Sequence, residues 1–169
     1  MRKFINLSKS RQVELNAKFP DLFKIYCVDD TPHYKKVAIT VFDHWLTREE
    51  FQNDYPDQKE KLRRDKSLHD FSKVMSESTE ILNFKFKGKW ERCYPCFRKF
   101  SSQEAMEHYL HPASDNDSSD KFCMLVLPEF EAVYCESWDY TNIFYIQDDK
   151  AIPTIKKWAN ESGVYCLEY

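Results

Sequence analysis

The chain of 169 residues contains only two glycines, Gly88 and Gly163, and they lie far apart in the sequence. Average glycine usage of about 7% would give roughly 12 in a chain of this length. The dinucleotide-binding loop, the Walker A loop and the nucleophile elbow of hydrolases each need at least two glycines within a few residues. The sequence therefore excludes these three sites in their usual form. None of the histidines is directly followed by a glutamate, so the H-E-x-x-H motif of zinc proteases is absent as well.

The spacing of apolar residues predicts an α+β fold, with a mainly antiparallel sheet and helices packed on it. Strand-like runs follow one another at residues 122–127, 132–136 and 142–146 without intervening helices. That order is typical of antiparallel sheets rather than of alternating α/β folds. The length fits one domain, so we expect a single domain over residues 1–169. The polar, turn-rich stretch at residues 112–121 is predicted to be a mobile loop.

Local patterns predict the first elements of the chain. A helix is expected after Ser8 or Ser10, with Val13 and Ala17 facing inward and Leu15 as a further candidate for the inward face. Residues 22–28 and 36–42 both have strand-like composition, and the turn-forming residues between them predict a hairpin. Capping sequences predict three further helix starts, at Thr47, Asp57 and Ser101.

The cysteine content and the chain start predict a cytoplasmic protein. No apolar segment of the kind found in secretion signals follows Met1, and no run approaches the 18 apolar residues of a membrane span. Six cysteines in such a chain are expected to be free thiols or metal ligands rather than disulfides. We therefore expect no membrane partner.

Formal charge is distributed unevenly along the chain. Residues 59–100 carry 12 basic and 6 acidic side chains, whereas residues 101–149 carry 11 acidic side chains and one basic side chain, Lys121. A concentration of negative charge steers basic partners toward a surface. The same charge disfavours nucleic acid on that side, because phosphate needs the opposite sign. Alternatively, these carboxylates serve only to keep the surface solvated.

Carboxylates alternate with aromatic side chains inside the acidic segment. Aromatic residues supply anchors at interfaces, and carboxylates add direction to the contact. In the alternative interpretation, the same aromatic residues belong to the core of an antiparallel strand pair. Seven residues are predicted to contact a basic protein partner: Glu129, Glu131, Tyr134, Glu136, Trp138, Asp139 and Tyr140.

A pair of cysteines and a pair of histidines have the spacing C-x2-C-x11-H-x2-H, formed by Cys93, Cys96, His108 and His111. Thiolate and imidazole are the ligands that tetrahedral zinc prefers. The segment resembles a C2H2 zinc finger, since Phe100 falls at the aromatic core position of the finger. The resemblance implies that these four residues hold one zinc ion, with the cysteines on a turn and the histidines on a helix.

The same C-x-x-C sequence also resembles a thioredoxin-like redox motif. A strand-like run at residues 81–86 precedes it, and the resemblance implies that Cys93 lies at a helix start. The helix terminus and the nearby Arg92 and Arg98 would then lower the pKa of the Cys93 thiol. A third interpretation treats the cysteines as buried and the histidines as surface residues.

The lack of a recognisable reaction centre, together with the acidic segment, favours a protein-binding function over catalysis. We predict a non-catalytic, acidic partner of a basic protein, of the inhibitor or immunity type that neutralises a toxin or nuclease. No cofactor and no small-molecule substrate are expected in this interpretation. One alternative is a zinc-stabilised module whose basic stretch at residues 85–99 contacts nucleic acid. The other is a thiol oxidoreductase.

Overall fold

The computed structural model of the chain describes residues 3–27, 29–89, 92–111 and 122–169, so the predicted mobile loop at 112–121 lies outside the described residues. The strands are β1 (Phe4–Asn6), β2 (Lys35–Thr40), β3 (Leu82–Lys87), β4 (Tyr94–Phe100), β5 (Met124–Leu127), β6 (Ala132–Cys135), β7 (Thr141–Ile146) and β8 (Tyr165–Glu168). The helices are α1 (Lys9–Lys18), α2 (Leu22–Tyr26), α3 (Arg48–Asn53), α4 (Gln58–Ser78), α5 (Gln103–Leu110) and α6 (Ile152–Ser162). None of the described helices has both the length and the apolar composition needed to span a membrane.

The eight strands form one sheet in the order β1-β4-β3-β5-β6-β7-β2-β8. Every pair of neighbouring strands is antiparallel. Helices pack on this sheet, which confirms the predicted α+β fold with an antiparallel sheet. The consecutive strands β5, β6 and β7 are also neighbours in space, because short connections favour pairing between successive strands.

Apolar side chains pack on both faces of the sheet. The first face lies against α4, α5 and α6, through residues such as Phe71 and Ile155. The second face lies against α1 and α2, through residues such as Leu15. Strand β5 shows the consequence, because Leu125 packs on the first face and Val126 on the second. A strand that is covered on both faces is apolar throughout rather than alternating.

The predicted helix starts are largely confirmed by side-chain caps. Ser8 accepts a hydrogen bond from the backbone N–H of Arg11 at the start of α1. Thr47 forms a complete capping box with Glu50 at the start of α3. Asp57 caps α4, and α5 is capped by Ser102, one residue later than predicted. A cap satisfies backbone donors that would otherwise lack a partner, so these residues fix where each helix begins.

The hairpin predicted from residues 22–28 and 36–42 is wrong. Leu22–Tyr26 forms the short helix α2, because Leu22 and Ile25 lie on one helical face and bury it against the second face of the sheet. Strand β2 is present, but it pairs with β7 and β8 instead. In α1 the candidate Leu15 is buried, whereas Val13 and Ala17 are exposed, contrary to prediction.

The outer edge of β4 is closed by a side chain where β1 ends. Strand β1 pairs with β4 only as far as Arg98. At the next position the carboxamide of Gln12 donates to the carbonyl oxygen of Phe97 at 2.6 Å and accepts from the N–H of Phe97 at 2.8 Å. Gln12 therefore satisfies both backbone groups of this edge residue, whose carbonyl oxygen also accepts from the N–H of Leu7 at 3.4 Å.

Gly88 closes the hairpin between β3 and β4 in a conformation that other residues rarely adopt. Its φ is +98°, and a Cβ atom built on it would lie 2.3 Å from the carbonyl oxygen of Arg92. We expect Gly88→Ala to lower the free energy of unfolding by about 2 kcal/mol, because both the backbone angle and the contact must change. Urea denaturation measures this loss.

Gly163 provides the matched control. Its φ is +70°, but a Cβ atom there would meet nothing within 4 Å. Gly163→Ala should therefore lower the free energy of unfolding by about 1 kcal/mol, which is the backbone strain alone. Equal losses for the two variants would show that the close approach of Arg92 to Gly88 contributes nothing.

Candidate binding site

The residues predicted to contact a partner do not form one surface. Glu129 and Glu131 lie in the connection between β5 and β6, whereas Trp138, Asp139 and Tyr140 lie in the connection between β6 and β7. The two connections are therefore at opposite ends of β6. The predicted acidic docking surface is thus divided.

Helix α4 shows how far apart the two groups are. Thr79, just after this helix, donates a hydrogen bond to the carboxylate of Glu129 at 2.9 Å. Lys61, near the start of the helix, lines a groove together with Trp138. At 1.5 Å per residue, Lys61 and Thr79 are about 27 Å apart along the helix axis. No single partner side chain spans both groups.

Tyr134 is a core residue, which corrects its predicted role in partner contact. Its relative exposure is 0%, and its ring packs against Phe71 and Phe144 on the first face of the sheet. Its hydroxyl accepts a hydrogen bond from the side chain of Asn142 at 2.7 Å. Burial raises the pKa of the Tyr134 hydroxyl well above its ordinary value. The residue points inward because it alternates with its neighbours along β6.

The glutamates of the predicted set are engaged by their own surroundings. The carboxylate of Glu136 accepts a hydrogen bond from the backbone N–H of Cys123 at 2.9 Å. Glu131 lies 3.9 Å from the ammonium of Lys18 and has a left-handed backbone with φ of 48°. These contacts position loops rather than present charge to a partner.

The other three predicted residues border an aromatic groove of about 310 Å³. Tyr55 and Trp138 are 86% and 70% exposed, which is unusual for such large side chains. The ring of Trp138 meets that of Phe51 edge to face, with centroids 5.9 Å apart. We call this site the aromatic groove and define it by Phe51, Asp54, Tyr55, Pro56, Lys61, Trp138, Asp139 and Tyr140.

A second cleft of about 410 Å³ adjoins the aromatic groove, and the two share Phe51 and Asp139. Its floor includes Thr40, Thr141 and Leu167 from strands β2, β7 and β8. The segment that follows β2 forms its wall, and the remaining lining residues are Phe42, His44, Trp45, Leu46, Thr47, Arg48, Ser137, Ile143 and Tyr169. Groove and cleft together form a continuous concave surface with aromatic walls.

Asp139 supplies a carboxylate to this surface. It accepts a hydrogen bond from the backbone N–H of Thr141 at 3.2 Å, and it forms no ion pair with another residue that the structure describes. A carboxylate beside Trp138 and Phe51 is suited to a cation, since the rings attract positive charge through their faces. Of the predicted set, Trp138 and Asp139 therefore keep the properties of contact residues.

An arginine of the chain itself illustrates this chemistry next to the groove. The guanidinium of Arg64 donates two hydrogen bonds to Asp54, at 2.6 and 2.8 Å, and one to Glu60. It also lies over the rings of Phe42 and Tyr140, at 5.0 and 5.2 Å from their centroids. The hydrogen bonds to Asp54 raise the pKa of Arg64 despite its burial. This arrangement joins α4 to the segment before it and to the connection that holds Trp138.

His44 lies at the wall of the cleft with both ring nitrogens occupied. Nδ1 is 2.6 Å from Asp43 and Nε2 is 3.1 Å from Glu50. The hydrogen bond to Asp43 and, to a smaller extent, the hydrogen bond to Glu50 raise the pKa of the His44 imidazole. These two contacts join the imidazole to the segment after β2 and to α3. His44 therefore fixes the wall of the cleft.

The groove contains residues that sequence reasoning missed. Phe51 and Tyr55 precede Trp138 by more than 80 positions, and they reach it only through the tertiary fold. A signal was present, because Phe51 is the one apolar residue of α3 (R-E-E-F-Q-N) and lies in a polar stretch. Apolar residues isolated in an exposed helix are candidates for contact.

The four residues predicted to hold zinc are all described, and the structure does not bring them together. Cys96 is buried within β4 and Cys93 directly precedes that strand, whereas the C2H2 resemblance implied a turn. The ring of His111 packs on His69 of α4 with centroids 5.2 Å apart. His108 lies on α5. Within the described ranges no group of three or more His, Cys, Asp or Glu residues could hold a metal ion.

The redox interpretation implied that Cys93 begins a helix, and this is also wrong because the C-x-x-C segment leads into β4. All six cysteines are free. Burial raises the pKa of Cys135 to about 12 and that of Cys166 to about 11. Burial likewise raises the pKa of Cys123. These three thiols are therefore protonated near neutral pH, and a protonated thiol is a poor nucleophile.

Comparison of the chain with protein-family models, with curated proteins and with solved structures found no match. The geometry of the chain is therefore the basis for its functional assignment. It shows an α+β fold whose eight-stranded antiparallel sheet carries an aromatic groove and an adjoining cleft at one end.

Proposed function

We propose that the protein is a non-catalytic binding protein that captures a basic protein through its aromatic groove. The observation that supports this proposal is the exposed pair of Trp138 and Phe51 beside the carboxylate of Asp139. An arginine of the partner would place its guanidinium over the Trp138 ring and donate hydrogen bonds to Asp139. Tyr55 would cover its aliphatic part.

The composition of the groove fits an interface rather than a reaction centre. Tryptophan and tyrosine are enriched among the residues that contribute most to protein–protein binding. Groove and cleft form a continuous surface, so a partner segment that enters the groove can extend toward Trp45 and Tyr169, whose rings pack at 4.6 Å. A small partner-neutralising protein, of the inhibitor or immunity type, is the class that we infer. The free cysteines support a reducing compartment, and the proposal places the interaction in the cytoplasm.

Titration with a defined peptide tests the chemistry of the groove. The probe is a ten-residue peptide of alternating arginine and leucine, and its control replaces each arginine by citrulline, which keeps the shape and removes the charge. We expect the indole N–H resonance of Trp138 to shift with the arginine peptide, with a Kd of about 100 µM. The citrulline peptide should bind at least about tenfold more weakly, because the charge-assisted hydrogen bonds are lost. The buried indole of Trp158 serves as an internal reference.

Variants locate the binding. Trp138→Ala and Asp139→Asn are each expected to raise the Kd for the arginine peptide about tenfold. The control variants Val13→Ala and Glu77→Gln change an exposed apolar residue and an exposed carboxylate elsewhere, and they should leave the Kd unchanged. The proposal fails if Trp138 does not respond at millimolar peptide, or if the citrulline peptide binds equally well.

A further inference from the structure

A second surface with different chemistry surrounds the hairpin of β3 and β4. Lys85, Lys87, Lys89 and Arg92 are all exposed there. Within the described part of the chain, no carboxylate lies within 4.0 Å of any of these four cations. Most other exposed cations of the helices have such partners, as Lys66 has in Asp70. The hairpin therefore carries four positive charges that form no ion pair with the residues that the structure describes.

Exposed aromatic rings are interleaved with these cations. Tyr94 is 54% exposed and stands directly opposite Lys87 in the strand pair. On the other side of the hairpin, Phe86 contacts Phe23 and Tyr26 of α2, with centroids 5.2 and 5.4 Å apart. Tyr26 is 58% exposed. Large aromatic side chains thus face solvent on both sides of the hairpin.

The pairing of β3 with β4 sets the positions of Lys85 and Lys87. Alternation along β3 places Lys85 and Lys87 on one face, about 7 Å apart. Gly88 begins the connection from β3 to β4, and the N–H of Arg92 donates to the carbonyl oxygen of Lys89 at 3.2 Å. Cations at fixed spacing beside a ring can hold successive groups of a linear polymer.

We propose that this hairpin surface binds single-stranded nucleic acid. Lys85, Lys87, Lys89 and Arg92 would contact phosphates, while bases would stack on Tyr94 and Tyr26. Proteins that bind single strands combine a positively charged track with aromatic platforms in this way. A paired duplex keeps its bases in its own stack, so it cannot use the rings. The acidic segment, which we expected to repel nucleic acid, contributes none of these residues.

Fluorescence anisotropy with labelled 20-nucleotide oligo(dT) tests the proposal on the full chain. We expect a micromolar Kd at about 0.1 M salt. The double variant Lys85→Ala/Lys87→Ala should weaken binding at least about tenfold. It should also reduce the slope of log K against log salt by about 1.4, since each phosphate contact on a single strand contributes about 0.7. Tyr94→Ala and Tyr26→Ala should each weaken binding by about fivefold or more.

The control variant Lys73→Ala/Lys157→Ala removes the same charge from α4 and α6, where both lysines are exposed. It should bind oligo(dT) like the unmodified protein. Heparin and a 20-base-pair duplex separate general attraction to polyanions from base stacking. Four results would each overturn the proposal: no binding at 100 µM protein, equal weakening by the control variant, no effect of the tyrosine variants, or equal affinity for the duplex.

Discussion

Replacing Tyr134 by alanine is expected to lower the free energy of unfolding by about 4 kcal/mol. The side chain is fully buried, and its ring is packed between Phe71 and Phe144. Truncation of a buried aromatic residue removes its transfer free energy and leaves a cavity that neighbouring side chains fill only in part. A urea denaturation curve measures the loss as a lower midpoint with an unchanged slope.

Two further substitutions give this prediction its controls. Tyr134→Phe keeps the packing but deprives the Asn142 side chain of its acceptor, so a loss of about 1 kcal/mol is expected. Trp138→Ala in the exposed groove should change stability by no more than about 0.5 kcal/mol. If Tyr134→Ala instead left the midpoint unchanged and abolished peptide binding, Tyr134 would be a contact residue after all.

The second large effect is expected at Arg64. Its side chain is 9% exposed and its guanidinium is held by Asp54 and Glu60. We expect Arg64→Ala to cost about 3 kcal/mol, because removal of one partner leaves a partly buried carboxylate without its counter-charge. The rings of Phe42 and Tyr140 lose their contact with the guanidinium at the same time. Thermal or urea unfolding measures this loss.

Arg63 is the natural control, since it also pairs with Glu60 but its side chain is 55% exposed. Arg63→Ala should cost no more than about 0.5 kcal/mol, as surface ion pairs contribute little. Similar losses at the two positions would contradict the importance of burial at Arg64.

Acid should lower the free energy of unfolding of the unmodified protein through protonation of Glu60. Hydrogen bonds from Arg63 and then Arg64 lower the pKa of Glu60 from 4.5 to about 2. A carboxylate with a lowered pKa stabilises the fold above its unfolded pKa and ceases to do so as the pH falls through the folded value. The contribution of Glu60 is therefore expected to disappear between about pH 4.5 and pH 2.

Much of the fold could be predicted because its signals are local. The cap of α1 at Ser8, the capping box at Thr47 and the left-handed Gly163 after α6 each depend on a few neighbouring residues. The α+β fold class was predicted from the three consecutive strand-like runs that form β5, β6 and β7. Residues 22–28 were wrongly predicted to form a strand, because the periodicity of a short apolar run does not distinguish a strand from a helix. The segment forms a helix, in which Leu22 and Ile25 are both buried.

The site was harder to predict because it depends on topology. Counting charge along residues 101–149 treats Glu131 and Glu136 as neighbours, yet β6 separates them and places them at opposite ends of a strand. The groove forms where α3, the start of α4 and the connection after β6 meet. Spacing alone likewise suggested a metal site at Cys93. The zinc-finger arrangement requires the two cysteines to lie on a turn, but this segment leads into strand β4.

The carboxamide of Gln12 has a consequence for how copies of this protein meet one another. Beyond the short strand β1, the N–H of Phe97 is bound by the side chain of Gln12 alone, and its carbonyl oxygen accepts from both Gln12 and the backbone N–H of Leu7. An unsealed margin is a template on which another chain can add a strand. Rotation of this one glutamine would free the N–H of Phe97 and leave its carbonyl oxygen bonded to Leu7, which exposes a donor to which another chain could pair.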